Sequence, residues 1–389
     1  MVEYYRDTWA EINLDAIKEN VKNIKRLIPD NVKFMAAVKA NGYGHGAVEV
    51  AKAAIEAGAS SLGVAILDEA LAIRKAGITD PVLVMGYVKP EYVDIAIENN
   101  ITLTAFHGEW VEKVASLTHL TKKVILHVKI DTGMGRIGIR SEEEGNALIS
   151  SLNKYSNFEV EGIYTHFATA DELDTTYYRK QQESFEKMVN WFERELGKDI
   201  PVKHCGNSAT TLRFHQELYN MVRVGIAMYG LTPSEEMRDL LPFPLKEAFS
   251  LHSRVSHIKQ IPKGHGVSYG ATYRTTDSEW VATIPIGYAD GWIRANSGGE
   301  VLINGNRVPI VGRICMDQMM VTVPTFVPVG TKVTLIGKQG EQHIPMDEVA
   351  KRLDTINYEV PCTISYRVPR VVIENNGIFN IKNEVLKEK

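Results

Sequence analysis

Two different periods of hydrophobic and polar positions run along this chain, and the change between them falls near residue 240. Over the first two-thirds, short β-branched runs alternate with longer stretches that carry apolar residues at helical spacing. The runs VKFMAAVK (32–39), SLGVAI (61–66), PVLVMGY (81–87), ITLTAF (101–106), KVILHVKID (123–131), VEGIYTHF (160–167), PVKHCG (201–206) and MVRVGIAMYG (221–230) are expected strands. Between them lie expected helices such as GAVEVAKAAIEAG, LDEALAIRKAG and TTYYRKQQESFEKMVNWFEREL. In the first, Ala47, Val50, Ala51, Ala54 and Ile55 share one face, and Gly58 supplies a stop signal.

Eight strand–helix units in about 220 residues suit an α/β fold of the (β/α)8 TIM-barrel type, which typically needs about 250. An open doubly wound sheet is the alternative, and it usually shows a G-x-G-x-x-G turn after its first strand. Gly42, Gly44 and Gly46 are spaced differently, which favours the barrel. Beyond the Pro-punctuated LPFPLK (241–246), short alternating runs such as FSLHSRVSHIKQI, WVATIPIG, EVLINGNRVPIVGR, MMVTVP and KVTLIG are separated by turn signals. They predict a mostly antiparallel β domain. The expected division is a barrel over 12–240 and a β domain over 241–389, with an N-terminal strand in 1–11 joining the latter.

Composition narrows the class without naming it. The chain has 389 residues, 44% hydrophobic and 24% charged, with a formal net charge of -4. That balance suits a soluble globular protein and offers no basic face for nucleic acid. No segment is apolar for long enough to cross a bilayer, and the N-terminus lacks the pattern of a secretory signal. Cys205, Cys315 and Cys362 are far apart and odd in number, which disfavours a disulfide framework or a structural zinc site. A cytoplasmic location is expected, with no metal and no membrane partner.

Candidate chemistry begins at Lys39, at the C-terminal end of the first barrel strand, where barrel enzymes place catalytic groups. A lysine there can lose its proton and act as a nucleophile or Schiff-base donor. By itself it also fits a side chain snorkelling at a barrel mouth. Ser208 in Asn-Ser-Ala-Thr fits both a helix N-cap and an anion site.

The string around Lys39, AAVKANGYGHG, is very similar to the cofactor-lysine motif of the alanine racemase family. The resemblance continues in order through HVKIDTGMGRIG, YTHFATAD, CGNSAT, VRVGIAMYG, GVSYGATY, PIGYADG, GRICMDQ and INYEV, across nearly the whole chain. It implies a pyridoxal-phosphate barrel followed by a β domain, a homodimer with shared active sites, and Lys39 as the cofactor lysine. It also implies a phosphate cradle of Ser208, the backbone at Gly225 and Ile226, and the hydroxyls of Tyr43 and Tyr358. Arg223 would face the pyridine nitrogen, oriented by His204. Because arginine is a donor only, that nitrogen stays largely unprotonated, and the weakened electron sink suits racemisation better than transamination.

Racemisation takes a proton from one face of a planar carbon and returns one to the other, so two opposed bases serve it directly. Lys39 and Tyr269 of GVSYG resemble that pair, Tyr269 reaching the site from the second subunit. A tyrosine has an ordinary pKa of about 10, so nearby cations must ease its deprotonation. Arg136 resembles the residue beside the cofactor phenolate and the substrate carboxylate, with the Met316 N–H as a second anchor. Lys129 stands where the family often carries a carbamate. His166, Tyr288, Asp171, Arg294 and Arg313 resemble surrounding and entrance residues. Tyr43, Tyr358 and Met316 would close the side-chain pocket to little more than a methyl group, which makes alanine the expected substrate.

A racemase acting on serine or several amino acids is the nearest alternative, because an apolar pocket rejects an added hydroxyl only modestly. A barrel-only cofactor carrier would lack the β domain and GVSYG. A related decarboxylase would show a cysteine-centred acid and a glycine-rich phosphate loop, neither in place here. The product D-alanine would imply a role in peptidoglycan supply.

Overall fold

The computed structural model describes residues 4–117 and 122–386. Residues 1–3 of the expected N-terminal strand segment, and 387–389 of the β domain, lie outside the described residues. The chain separates into two compact units, one of Ile17–Gly42 and Ala47–Lys246, the other of Met1–Ala16, Tyr43–Gly46 and Glu247–Lys389.

The first unit is a closed barrel of eight parallel strands: β2 (Lys33–Ala37), β3 (Ser61–Val64), β4 (Val82–Val84), β5 (Thr102–Ala105), β6 (Val124–Lys129), β7 (Phe158–Tyr164), β8 (Val202–Gly206) and β9 (Met221–Val224), which returns to pair with β2. Each lies inside an expected run or overlaps it. Every residue of β3, β4 and β9 is buried, as parallel strands covered on both faces require. The helices cover the barrel with one apolar face. In Thr176–Leu196, Tyr178, Gln181, Phe185, Val189 and Phe192 are buried at intervals of three and four, and Gly197 ends the helix in a left-handed cap.

The barrel interior is split by polarity. Met35, Leu83, Val202 and Met221 form an apolar cluster. Further along the strands, on β5, β6, β8 and β9, stand Thr104, His127, Lys129, His204 and Arg223, all buried. Layers of branched aliphatic side chains are the usual filling, so this polar half is the departure that calls for a chemical explanation.

The second unit is built on an eleven-stranded sheet in the order β11 (His257–Ile261), β14 (Glu279–Ile284), β17 (Met319–Val323), β16 (Asn306–Val311), β15 (Glu300–Ile303), β18 (Lys332–Gln339), β10 (Phe249–Arg254), β1 (Thr8–Asn13), β20 (Arg370–Glu374), β21 (Gly377–Lys382). β19 (Gln342–Ile344) pairs with β18, and β12 (Gly266–Val267) with β13 (Tyr273–Arg274) forms a separate ribbon. The sheet is antiparallel except where β1 runs parallel to β20. β1 thus fills a central place between β10 and β20, far from both in sequence.

Ile12 on β1 is fully buried between Phe249 and Val372 in register. Ile12→Ala is expected to lower unfolding stability by about 2–4 kcal/mol, read from the urea midpoint. A change under about 0.5 kcal/mol would show that this strand is not part of the cooperative core.

Candidate active site

β2 ends at Ala37, and Lys39, half-buried, opens the turn that follows. Ala40, Asn41, Gly42 and Tyr43 then take consecutive left-handed conformations, with φ of 53°, 53°, 60° and 52°. Each non-glycine residue in that region costs about 1–2 kcal/mol. Specific bonds hold the run. The Ala40 N–H donates to Glu69 Oε1 at 2.6 Å, the Gly42 N–H to the Val38 carbonyl at 2.8 Å, and the Ala47 N–H to Asn41 Oδ1 at 3.0 Å. Glu69 Oε2 also accepts the Ala65 N–H at 2.8 Å, so one carboxylate ties the turns after β2 and β3 together. The sequence offered Lys39 but gave no sign of Glu69 as its support.

Arg223 on β9 is 5% exposed. Its Nη1 donates to His204 Nδ1 and to the His204 carbonyl, both at 3.0 Å. Its Nη2 donates to the Thr165 carbonyl at 2.7 Å, and lies 3.4 Å from both the Cys205 carbonyl and His166 Nδ1. The guanidinium also sits 5.2 Å from the centre of the Tyr164 ring, which stacks on His204. The terminal donors are therefore engaged, and the Nε–H is the donor with no acceptor among the described residues.

Burial and this one cation together set the charge of its neighbours. Burial and the Arg223 charge hold His204 and His166 neutral, well below the ordinary histidine range. Burial, then Arg223, and to a lesser degree Arg136, bring the Lys129 ammonium down to about 7 against a weaker opposing pull from Asp131. Lys129 Nζ donates to the Ile130 carbonyl at 2.7 Å. Arg136 is exposed on a loop that Asp131 shapes by accepting the Gly133 and Gly135 N–H groups at 3.1 and 3.0 Å.

Ser208 is the first residue of the helix Ser208–Arg213; the N-cap is Asn207, whose side chain accepts the Thr210 N–H at 3.0 Å. The capping role open to Ser208 therefore falls to its neighbour. Ser208 Oγ instead accepts the Gly225 N–H at 3.0 Å and the Ala227 N–H at 3.4 Å. Both acceptor sites are used, so the hydroxyl proton points away as a donor. The Ile226 N–H begins the turn Ile226–Tyr229, where a helix leaves its first N–H groups without an internal acceptor. A hydroxyl and backbone N–H groups beside a donor-only arginine suit a cofactor carrying a phosphate at one place and an acceptor nitrogen at another. Asp171 is more peripheral; burial raises its carboxyl, and its carbonyl accepts the Ser234 hydroxyl at 2.9 Å.

In the second unit, Tyr43 and Tyr358 stand with ring centroids 6.2 Å apart. Burial, reinforced by Cys362, drives the Tyr43 phenol well above its ordinary pKa, so it remains a proton donor. Gly44 follows because a Cβ there would fall 2.1 Å from the Pro361 carbonyl oxygen. Tyr269 opens the turn Tyr269–Ala271 and is 71% exposed. Ser268, at φ 66°, donates to the Arg313 carbonyl at 2.5 Å, and its Oγ lies 3.6 Å from Cys315 Sγ. The Tyr269 and Met316 loops are thereby joined. Tyr288 and Ala289 N–H groups donate to the Cys315 and Met316 carbonyls, each at 3.0 Å. Fully buried Asp290, paired with Arg6 at 2.7 Å, fixes the other side of that turn. Arg294, Arg313 and Met316 are exposed.

The lysine and arginine machinery thus lies in the barrel unit, and Tyr43, Tyr269, Met316 and Tyr358 lie in the other. Residues 12–233 match the model of the alanine racemase N-terminal domain and residues 248–372 that of the C-terminal domain. Alanine racemase of Halalkalibacterium halodurans is 56% identical over 389 residues, covering 99% of this chain and all of that one. Alanine racemase of Geobacillus kaustophilus is 54% identical over 385 residues, 99% of each. The crystal structure of alanine racemase from Bacillus anthracis with bound L-Ala-P superposes with a TM-score of 0.96 at 52% identity, covering 99% of both chains. Fold and site together define a pyridoxal-phosphate enzyme of the barrel-plus-β-domain class. Within that class, the chain belongs to the alanine racemase family.

Ser208→Ala removes the acceptor for two N–H groups and the donor aimed away from them. Pyridoxal phosphate affinity, followed by fluorescence titration, is expected to weaken by about tenfold. An unchanged affinity would remove Ser208 from the cradle.

Proposed function

We propose that this protein interconverts L-alanine and D-alanine with pyridoxal phosphate, Lys39 and Tyr269 exchanging protons with opposite faces of the substrate Cα. The cofactor, when bound, supplies an aldehyde that takes up an amine and a ring that withdraws electrons from Cα. Lys39 holds that aldehyde in the resting state and, once displaced, accepts or returns a proton at Nζ. The Tyr269 hydroxyl does the same on the other face, contributed by a second subunit. Ser208, Gly225, Ile226, Tyr43 and Tyr358 bind the phosphate, and His166 and His204 line the ring site. Arg136 and the Met316 N–H anchor the substrate carboxylate.

The observation that carries this reading is the donor inventory of Arg223. All its terminal N–H groups face fixed acceptors, and Nε–H remains as a donor. A group that can only donate meets a pyridine nitrogen that must accept. Beside such a donor a bound cofactor ring would hold charge poorly, which would limit loss into transamination. Among the described residues no helix is long and apolar enough to cross a membrane. A homodimer in the cytoplasm, making D-alanine for peptidoglycan, completes the proposal. The reading is tested by circular dichroism on pure L-alanine, with borohydride fixing the cofactor on Lys39 for mass spectrometry. Faster turnover of L-serine than of L-alanine would favour the broader racemase.

Lys129 carries a further part of it. An ammonium between Arg136 and Arg223 is disfavoured, whereas a carbamate there would turn both repulsions into attractions. The amine is the reactive form and predominates above about pH 7. Uptake of 13C-bicarbonate at Lys129 should therefore rise as pH increases through 7 and vanish in Lys129→Ala. Absence of a carbamate carbon resonance at about pH 8 would refute the modification.

Tyr269→Phe keeps the ring and removes the transferable proton. The L-to-D rate is expected to fall by about 10³-fold, while borohydride still fixes the cofactor on Lys39. Full two-way racemisation by this variant would exclude the phenol as a base.

A further inference from the structure

The polar half of the barrel does not stop at His204. Nδ1 of His127 on β6 lies 2.8 Å from Nε2 of His204, and Nε2 of His127 lies 3.2 Å from Glu161 Oε2 on β7. The direction of every proton along this line follows from its inner end. Arg223 has no acceptor, so His204 Nδ1 must accept. His204 is fully buried and neutral, so its single proton is on Nε2. That proton can go only to His127 Nδ1, which must therefore be bare, leaving His127 Nε2–H to donate to Glu161. The result is one directed chain, Arg223 to His204 to His127 to Glu161.

Glu161 matches this direction. Burial works against its carboxylate, but the hydrogen bond from His127 outweighs that and keeps it ionised. Room for the His127 ring is built in: a Cβ at Gly162 would lie 2.6 Å from its Nδ1 and Cε1. β6 and β7 also shift register beside His127, between Leu126 and His127. A purely space-filling side chain would need neither an acceptor facing His204 nor a carboxylate behind it.

We propose that His127 is a positioning residue for the racemase reaction, the buried acceptor that fixes the His204 proton on Nε2 and so keeps Arg223 aimed as a donor at the cofactor nitrogen. Glu161 anchors the far end. Without His127 the His204 N–H has no partner in a site closed to water, and moving its proton to Nδ1 would oppose two donors to each other. Either outcome loosens Arg223. This inference rests on the role given to Arg223 above. Loss of racemase activity in the unaltered holoenzyme would defeat that role; an active holoenzyme indifferent to His127 would defeat this inference alone.

The test compares His127→Phe with His127→Asn in the holoenzyme. Asparagine retains an acceptor oxygen near the position of Nδ1, and phenylalanine retains only the ring. For His127→Phe, kcat is expected to fall on the order of tenfold with KM moving less than about twofold. The fraction of turnovers ending in transamination, read as pyruvate formed per racemisation, should rise by a similar factor, and the visible absorption of the bound cofactor should shift. His127→Asn should recover all three to within about threefold. Should His127→Phe fail to fold, Gly162→Ala displaces the ring by crowding and should raise the same pyruvate ratio. Equal behaviour of the Phe and Asn variants, or a wild-type pyruvate ratio in the folded Phe or Gly162→Ala variant, would overturn the proposal. So would side-chain 15N resonances placing the His204 proton on Nδ1.

Discussion

A guanidinium enclosed in a barrel imposes conditions on everything around it. Arg223 cannot lose its proton, so its charge must be met with acceptors or it would be prohibitively costly to bury. The chain meets it with three carbonyls, of residues 165, 204 and 205, and two imidazole nitrogens, of His204 and His166. These neutral acceptors solvate the charge without cancelling it. Burial first, and then the field that remains, keep His166 and His204 uncharged and bring Lys129 close to neutrality. A carboxylate partner would have neutralised this field and removed its share of the effect. The same cation therefore bears on the tautomer of one histidine and the charge of one lysine, and in the proposed function on the protonation state of the cofactor ring.

Strain is the second constraint, and it lies in the turn after β2, the strand that pairs with the one carrying Arg223. A left-handed run through Ala40 and Asn41 is unfavourable by a few kcal/mol in isolation. It persists because Glu69, Asn41 and the Val38 carbonyl each take one of its N–H groups or of those just beyond it. The usual continuation after a barrel strand would lead into a helix directly. Here the chain reverses its hand immediately after Lys39, so the lysine occupies a turn whose shape is fixed by neighbours on both sides. A lysine in the role proposed for Lys39, released and recaptured in each turnover, would gain from such a fixed anchor.

Much of this is written in the sequence in a form that can be read. Burial on both faces makes the eight barrel strands continuous apolar runs, so their order and number are plain. The period of two also carries part of the histidine line: His127 and Lys129 are two apart in KVILHVKID, so a buried Lys129 places His127 on the same face. Its partner is not legible, because β6 and β7 shift register between Leu126 and His127, and a bulge breaks any count from sequence. Asn207 and Ser208 show the same limit at the scale of one residue. Both suit an N-cap, and only the φ and ψ values decide that Asn207 takes it while Ser208 turns to Gly225. The left-handed turn is hidden for a different reason: Asn41 tolerates that region, but Ala40 and Tyr43 disfavour it, and nothing local announces four such residues in succession. β1 pairs with strands at 249–254 and 370–374, contacts that no local pattern encodes.

The tyrosines show how burial divides one chemistry into two roles. Tyr43 and Tyr164 are enclosed, and desolvation of the phenolate holds their protons in place, Tyr164 at about 12 against the easing effect of Thr104 and Arg223. Such groups can donate hydrogen bonds but cannot cycle through an anion near neutral pH. Tyr164 uses its hydroxyl that way, donating to the Met85 carbonyl at 3.1 Å, while its ring face meets Arg223. Tyr269 is built differently: its turn is held through Ser268 and Arg313, and its own ring is left open in its unit. A residue whose loop is fixed but whose hydroxyl is not enclosed can meet a substrate and exchange a proton. Openness does not single Tyr269 out, since Tyr5 and Tyr366 are as freely exposed; the role proposed for it rests on its place in the ordered motif GVSYG and on a turn held by Ser268.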